Sequence, residues 1–580
     1  MGEFFNTMNK INIGQSDVRI SAENGTDFSA DQVIGIYIPP SVKFFSGKDS
    51  YLQFDIEIKN DENFPATRLQ LDSAIGSQSL IQTCRIYAGN RSTLLEELLN
   101  YNTMCSVDYD YSRTDTIQAK RNLTEGAGLW TPETRGTMGT TKSNNNNHMS
   151  SQYYISPEFA KIEAGDATNN EYIRAKMCLP IHMGVFSRNK KIFPNLLVDG
   201  CYLEFTLAGI RNSFRQVDSA TPNRRLKLNP LFKDVDNAGA GWTTATGSNK
   251  IVCELKNSIL SPQSLPFVIG ETLGVTKADG TDYDFDVPPT IKSIEMVGAD
   301  ALARVEITLD AVSSPTVDIP PVTNDHFLYS TSLKGTGVYE PSYLIRNVEM
   351  IVHQIEMDAQ YEKGMLSKVR EKGGVIEFDI PSITCHTHST LASDLQSTIP
   401  LNIEFARAKS IICVPTDASI YSTQNQSSAN TTYMESEDQT GYIEDVFNRS
   451  NRTGLTGCSN NLSSYSFFLN GRQVPSKDIS CKKTTDKAGG VDANFIIELE
   501  KGLSSAGIDV NSFEDYNRNF VVSRMLALGE NAVFDGRGRS CRLNCKYEGS
   551  VVGNVNLLWK NFIAHHRKLV IKGNDISVEV

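Results

Sequence analysis

The stretch Tyr51-Leu52-Gln53-Phe54-Asp55-Ile56-Glu57-Ile58 alternates apolar and polar side chains without a break. Leu52, Phe54, Ile56 and Ile58 point one way while Gln53, Asp55 and Glu57 point the other, the period-two signature of a strand with one wet face. Residues 201–207 repeat the pattern through Cys201, Leu203, Phe205 and Leu207, and residues 465–469 through Tyr465, Phe467 and Leu469. Further strands are expected at 33–38, 80–87, 172–178, 348–357, 375–380, 401–414, 495–499 and 551–563, with Gly, Pro, Asn and Asp punctuating the gaps. Helical signals are few. Thr93-Leu94-Leu95-Glu96 has capping-box spacing and predicts a short helix through Leu99. Residues 358–372 carry Tyr361, Met365, Leu366 and Val369 at helical spacing and stop at Gly373. The expected class is mostly β, with few short helices and long loop insertions.

A repeat sets the organisation. Asn347-Val348-Glu349-Met350-Ile351-Val352-His353-Gln354-Ile355 matches Asn554-Val555-Asn556-Leu557-Leu558-Trp559-Lys560-Asn561-Phe562 in character, position by position, at an offset of 207 residues (554 − 347). That offset is close to the size of one β-sandwich domain. Both segments read as the closing strand of a sandwich. The expected division is an N-terminal arm over 1–30, a first sandwich over 31–358 and a second over 359–580, joined by the 358–372 helix. Each sandwich carries a long excursion. Residues 211–341 hold strand-like runs at 291–297 and 304–309, a small inserted β unit; residues 416–463 are dominated by Ser, Thr, Asn and Gln. The asparagine run 144–147 marks another exposed tip.

Composition excludes several classes. The 580 residues hold 56 Lys and Arg against 68 Asp and Glu, a net charge of −12, which argues against a partner that is mainly a phosphate backbone. With 39% hydrophobic and 21% charged residues, wholesale disorder, collagen and coiled coil are out. The eleven cysteines are scattered, most inside apolar runs (Cys178, Cys201, Cys253, Cys413), and read as free thiols of a reducing cell. Met1-Gly2-Glu3-Phe4-Phe5-Asn6 lacks a basic stretch followed by an apolar one, so no signal peptide is expected, and no apolar run has the length to cross a bilayer. The Asn-x-Ser/Thr triplets at Asn122, Asn425, Asn448, Asn451 and Asn461 are expected by chance in so Asn-, Ser- and Thr-rich a chain. Synthesis in a cytosol is expected.

No chemistry-bearing motif stands out. Cys385-His386-Thr387-His388 could join Cys541, Cys545, His565 and His566 in a zinc site. Alternation along a strand, however, points Cys385 and His386 to opposite faces, and a strand end with surface histidines is expected instead. There is no Gly-x-Ser-x-Gly, and Cys458 has no histidine near it in sequence. Glu96-Glu97 and Glu435/Glu437 could be written as glycosidase pairs, but with 68 carboxylates such pairs are inevitable. Gly529 and Gly536-Arg537-Gly538-Arg539 do not open a helix carrying Lys-Ser/Thr. Grouped with His566, Arg567 and Lys568 they could form a basic patch, and a turn plus strand-end cations is preferred. No catalytic, cofactor-binding or metal-ligating residue is assigned, no cofactor is expected, and the chain is not expected to be an enzyme.

Five segments carry a family resemblance. They are Ser79-Leu80-Ile81 through Leu94-Leu95-Glu96-Glu97-Leu98-Leu99-Asn100-Tyr101; Leu179-Pro180-Ile181 through Ile192-Phe193-Pro194, followed by the strand from Cys201; Pro266-Phe267-Val268-Ile269-Gly270; Tyr343 through Val352; and Asn470-Gly471-Arg472-Gln473-Val474-Pro475-Ser476. In this order they resemble the major capsid proteins of virophages and polinton-like viruses, of the double jelly-roll lineage of icosahedral DNA viruses. The resemblance implies two eight-stranded jelly-roll β-sandwich domains in one chain. It also implies a homotrimeric pseudo-hexagonal capsomer tiling a shell around double-stranded DNA, with penton and minor capsid proteins as partners and no sequence-specific nucleic-acid binding. The chain would then belong to the virion, assembled in host cytoplasm or a viral factory. Two other readings are weighed. One is a carbohydrate-binding or carbohydrate-cleaving β-sandwich protein using Trp130, Trp242 or Tyr433 as stacking platforms; the other is a minor capsid or fibre protein.

Overall fold

The computed structural model describes residues 12–59, 68–126, 158–161, 173–217, 226–227, 242–254, 272–276, 281–297, 304–319, 327–330, 342–418, 455–481, 493–511, 519–526, 532–547 and 556–579, apart from single or paired positions inside those ranges. The first half is built from β1 (Asn12–Ser21), β2 (Val33–Ile38), β3 (Phe45–Lys59), β4 (Ile81–Ala88), β5 (Thr93–Leu99), helix α1 (Tyr101–Tyr111), β6 (Ile173–Pro180), β7 (Cys201–Leu207) and β8 (Ser342–Met357). Helix α2 (Ala359–Arg370) leads into β9 (Ile376–Thr390), β10 (Gln396–Leu401), β11 (Ala408–Asp417), β12 (Leu462–Leu469) and β13 (Arg472–Ser480). Helix α3 (Ala493–Ser505), β14 (Val522–Met525), β15 (Cys541–Tyr547), β16 (Leu557–Lys572) and β17 (Asp575–Glu579) follow.

The sheet order of the first half is β1-β8-β3-β6 and β2-β7-β4-β5; that of the second is β9-β16-β11-β14 and β10-β15-β12-β13. Adding eight to every strand number of the first half gives the second. These pairings are antiparallel. Each half is a jelly roll built on eight strands in two facing sheets, the short strands Asp27–Ser29 and Ile192–Phe193 extending the first half's larger sheet to six, and both halves place a helix after the fifth strand. The 207-residue repeat falls on equivalent strands: β8 lies between β1 and β3, and β16 between β9 and β11. The register within them differs: the two 16-residue strands start 215 positions apart (557 − 342), so Leu557 opens β16 while Met350 lies inside β8, although Met350, Val352, Leu557 and Trp559 are all buried. The chain then turns back after β16 to add β17 beside it.

Residues 291–297 and 304–309 fall in strands Ile291–Val297 and Arg304–Ser313, which pair with each other, and Ser248–Glu254 adds a third strand. This unit is inserted between β7 and β8. Residues 144–147, 266–270 and most of 416–463 lie outside the described residues.

Five local expectations are corrected. Residues 93–99 form β5 rather than a helix, because pairing with β4 buries Leu95 and Leu98, while Arg85 meets Glu97 across the ladder at 2.6 Å. Residues 495–499 are helical: Phe495, Leu499 and Leu503 are buried four residues apart, and Ile497, which a strand would bury with them, is 47% exposed. The expected strand 401–414 is two strands in opposite sheets, β10 and β11, with the chain crossing between sheets at 402–407 around buried Ile403 and Phe405. Residues 12–21, expected within an arm, pair with β8 along their length. Finally, the polar side of residues 51–58 is covered: Asp55 accepts from Asn347 Nδ2 at 2.7 Å, and Glu57 lies 3.2 Å from Arg346 Nε.

One cluster of buried apolar residues runs through both halves, from Phe28 to Ile571. Burial at that scale, about 25 cal/mol for each Å² of apolar surface, makes the joint between the sandwiches a core rather than a contact of surfaces.

Candidate functional site

The joint is built around α1, where all residues but Asp108 are buried. A helix buried on nearly every side lies between layers rather than on a surface. Thr103 Oγ1 accepts from Lys560 Nζ of β16 at 2.7 Å. Asn519, just before β14, donates from Nδ2 to Asp110 at 2.7 Å and to Ser106 at 3.2 Å. Its Oδ1 accepts from Gly457 N at 2.8 Å, and its carbonyl accepts from the Tyr111 hydroxyl at 2.8 Å. The chain between α3 and β14 adds Asn511 N donating to Tyr111 O at 2.8 Å. A buried amide that reaches both sandwiches specifies their relative placement, since every lost partner leaves a desolvated polar group.

Strand β5 supplies the second part of the joint. Glu96, 1% exposed, accepts from the backbone N–H groups of Gly184 and Val185 at 2.7 and 3.3 Å. Burial raises its carboxyl above the ordinary range, offset by the Gly184 hydrogen bond and the Arg567 guanidinium. Arg567 in turn donates to Leu95 O at 3.1 Å. Gly184 lies so close to β9 that a Cβ there would stand 2.0 Å from Pro381 O. Phe193 and Phe378 meet edge to face at 5.5 Å.

Beneath α1 runs a chain of titratable groups. The Tyr109 hydroxyl lies 2.5 Å from Glu125 Oε2 and 2.9 Å from His182 Nε2. His182 Nδ1 lies 3.4 Å from Asp108 Oδ2, which also meets Arg188 at 3.5 Å. The Arg121 guanidinium stands 3.4 Å from the centre of the Tyr109 ring. Burial pushes Glu125 up to about 7, against the Tyr109 hydrogen bond and the Arg121 charge. Burial lowers His182, against the Asp108 hydrogen bond. Burial would raise Asp108, but the His182 hydrogen bond and the Arg188 charge outweigh it and hold the carboxyl far below its usual range. The Tyr109 hydroxyl donates to Glu125, and the imidazole tautomer of His182 sets the polarity of its contacts with Tyr109 and Asp108.

The residues singled out in the sequence do not converge. Cys385, His386 and His388 sit inside β9, which continues to Thr390, rather than at a strand end. Cys385 is buried and accepts from Asn100 Nδ2 at 3.5 Å. Cys541 and Cys545 lie on β15, in the other sheet. Among the described residues no group of three His, Cys, Asp or Glu is placed to hold a metal ion. Glu96 and Glu97 are split, one into the joint and the other onto Arg85. Cys458 is buried. The basic segment separates too: Arg537 pairs with Asp535, Lys568 with Glu377, and Arg567 enters the joint. Trp242 is 3% exposed and donates to Ser313 O at 2.7 Å, so it is no stacking platform. Trp130, Tyr433, Glu435, Glu437 and Gly529 lie outside the described residues.

Asn519, Lys560 and Gly184 carry the joint, Glu125 heads the chain of titratable groups beneath α1, and all four went unmarked in the sequence. One signal was present: Lys560-Asn561 interrupts the apolar run from Leu557 to Phe562, and buried polar groups in such a run require partners.

Among known proteins, the chain matches no family model and no curated protein. Solved structures similar to it include PBCV-1 VP54 fitted into a cryo-EM reconstruction of the virophage Sputnik, at 10% identity over 100% of this chain and 99% of that one, with a TM-score of 0.44. The Faustovirus major capsid protein is similar at 9% identity over 96% of this chain and 90% of that one, with a TM-score of 0.45. The cryo-EM structure of the Sputnik virophage is similar at 8% identity over 98% and 89%, with a TM-score of 0.43.

Proposed function

We propose that the chain is a structural, non-enzymatic protein: a double jelly-roll major capsid protein whose trimers form pseudo-hexagonal capsomers around a double-stranded DNA genome. The observation that carries this reading is the tandem of two jelly rolls of identical strand order, fused through a buried joint. Two equal blocks locked in one chain give three chains six blocks, and a threefold assembly of them approximates a hexagon that tiles a plane or a shell. The proposed units are 12–358, with β1 joined to the first sandwich expected from residue 31, and 359–580, with long excursions at 211–341 and 416–463. Its partners would be other copies of itself, with penton and minor capsid proteins at the shell's special positions, in a virion assembled in host cytoplasm or a viral factory. The net charge of −12 suits a wall that does not itself condense nucleic acid.

The test is the solution mass of the purified chain by light scattering after size exclusion. A species of three times 64.1 kDa, 192.3 kDa, with hexagonal outlines by electron microscopy, is expected. A 64.1 kDa monomer at every concentration, salt and pH tried overturns the reading.

A further inference from the structure

A cavity of about 100 Å³ opens where the two sandwiches meet, lined by Arg188 of the first half and by Ser382, Lys409, Ser505 and His566 of the second. We propose that it binds one small tetrahedral oxyanion of the phosphate type, which bridges the two jelly rolls.

Three observations carry this. First, the lining holds the cations Arg188 and Lys409, the imidazoles of His565 and His566, whose charged forms burial disfavours, and no carboxylate, in a chain whose net charge is −12. Lys191 and Arg407 also act on His566, and the carboxylate that does so, Asp379, is held by Arg407 at 2.9 Å. Second, Ser382 borders the cavity, is 2% exposed, and its buried hydroxyl has no hydrogen-bond partner in the protein. A hydroxyl buried in that state is a donor awaiting an acceptor. Third, Arg188 commits Nε to His182 O and one terminal nitrogen to Asp108, which fixes the guanidinium plane at the cavity wall. In the C-terminal turn of α3, which also borders the cavity, three carbonyls are already bonded. Gly507, at φ +80°, lets its own N–H and that of Ile508 bond Ser504 O and Leu503 O, and Ala506 N bonds Gly502 O.

The size limits the occupant. The space exceeds that of one water and is walled by three strands, a helix end and Arg188, which suits a compact oxyanion with several acceptor oxygens. It does not suit an internal phosphodiester, which must leave by two sides. The anion would receive hydrogen bonds from both sandwiches at once, and so stabilise the chain by mass action.

The test is thermal unfolding and calorimetric titration of the full chain with inorganic phosphate, against chloride at equal ionic strength. The melting temperature is expected to rise saturably with phosphate and not with chloride. Ser382→Ala and Lys409→Gln should each weaken phosphate binding by roughly tenfold, whereas the exposed Arg537→Gln should leave it unchanged. Equal effects of phosphate and chloride, or full-strength binding in both cavity variants, overturn the proposal. An oligonucleotide that shifts the melting temperature in a Ser382-dependent way also overturns it, in favour of a backbone phosphate.

Discussion

Lys560 of β16 is 1% exposed and places its ammonium 2.7 Å from the hydroxyl of Thr103 on α1, 457 residues earlier in the chain. The contact joins β16 of the second sandwich to the helix at the joint between the sandwiches. An ammonium in that position is tolerated only while its acceptors are in place.

Thr103→Val keeps the shape and removes one acceptor from the buried ammonium. The expected cost is about 1–3 kcal/mol. It should be read as a lowered urea midpoint with an unchanged slope, because the folded state's buried area does not change.

Gly184→Ala places a methyl group 2.0 Å from Pro381 O and 2.7 Å from Ile380 Cγ2. Backbone on both sides of the joint has to separate, so the variant should lose the cooperative unfolding transition or melt far lower. Gly364→Ala is the matched control. That glycine lies inside α2 with nothing within 4 Å of its Cβ position, and the substitution should stabilise by about 1 kcal/mol.

Glu125 sets a pH dependence with a definite sign. Its folded value of about 7 is above the ordinary 4.5, so its contribution is present in full below about 4.5 and is lost as pH rises through about 7. The loss amounts to about 3 kcal/mol. Asp108 and His182, both lowered, act in the opposite sense, adding stability above their ordinary values of 3.8 and 6.5 and losing it as pH falls. The difference between Glu125→Gln and the parent chain isolates the one group. The variant's relative stability should rise between pH 5 and pH 8 in urea titrations, and a difference constant over that range rejects the assignment.

Thiol reactivity follows burial. Cys84, Cys105, Cys201, Cys413 and Cys545 are buried, and burial raises every one of these thiols, so the nucleophilic thiolate is scarce as well as inaccessible. Native-state labelling resolved by peptide mass should modify the half-buried Cys178 and Cys481 ahead of these five. In denaturant all eleven should react alike.

The strands with strict alternation, such as 201–207, and the 207-residue repeat were legible in the sequence because period-two burial is a local pattern that each strand carries within itself. So were the inserted strands at 291–297 and 304–309 and the α2 helix, whose apolar spacing spans three turns. Short windows failed where two periods fit equally: Phe495, Ile497 and Leu499 alternate as a strand would, while Phe495, Leu499 and Leu503 repeat as a helix does. Thr93-Leu94-Leu95-Glu96 carried a local helix signal that cross-strand pairing with β4 overrode.

The joint was decided only in three dimensions. Asn519, Gly184, Glu125 and Lys560 act on residues tens to hundreds of positions away, and a single side chain's identity does not say which distant backbone comes to meet it. Amino-acid order by itself determined that the chain would make two sandwiches from alternating strands. Tertiary packing determined that they share one core, because the faces buried against a partner sandwich and those buried inside a sandwich present the same alternation to the reader and differ only in what lies across from them.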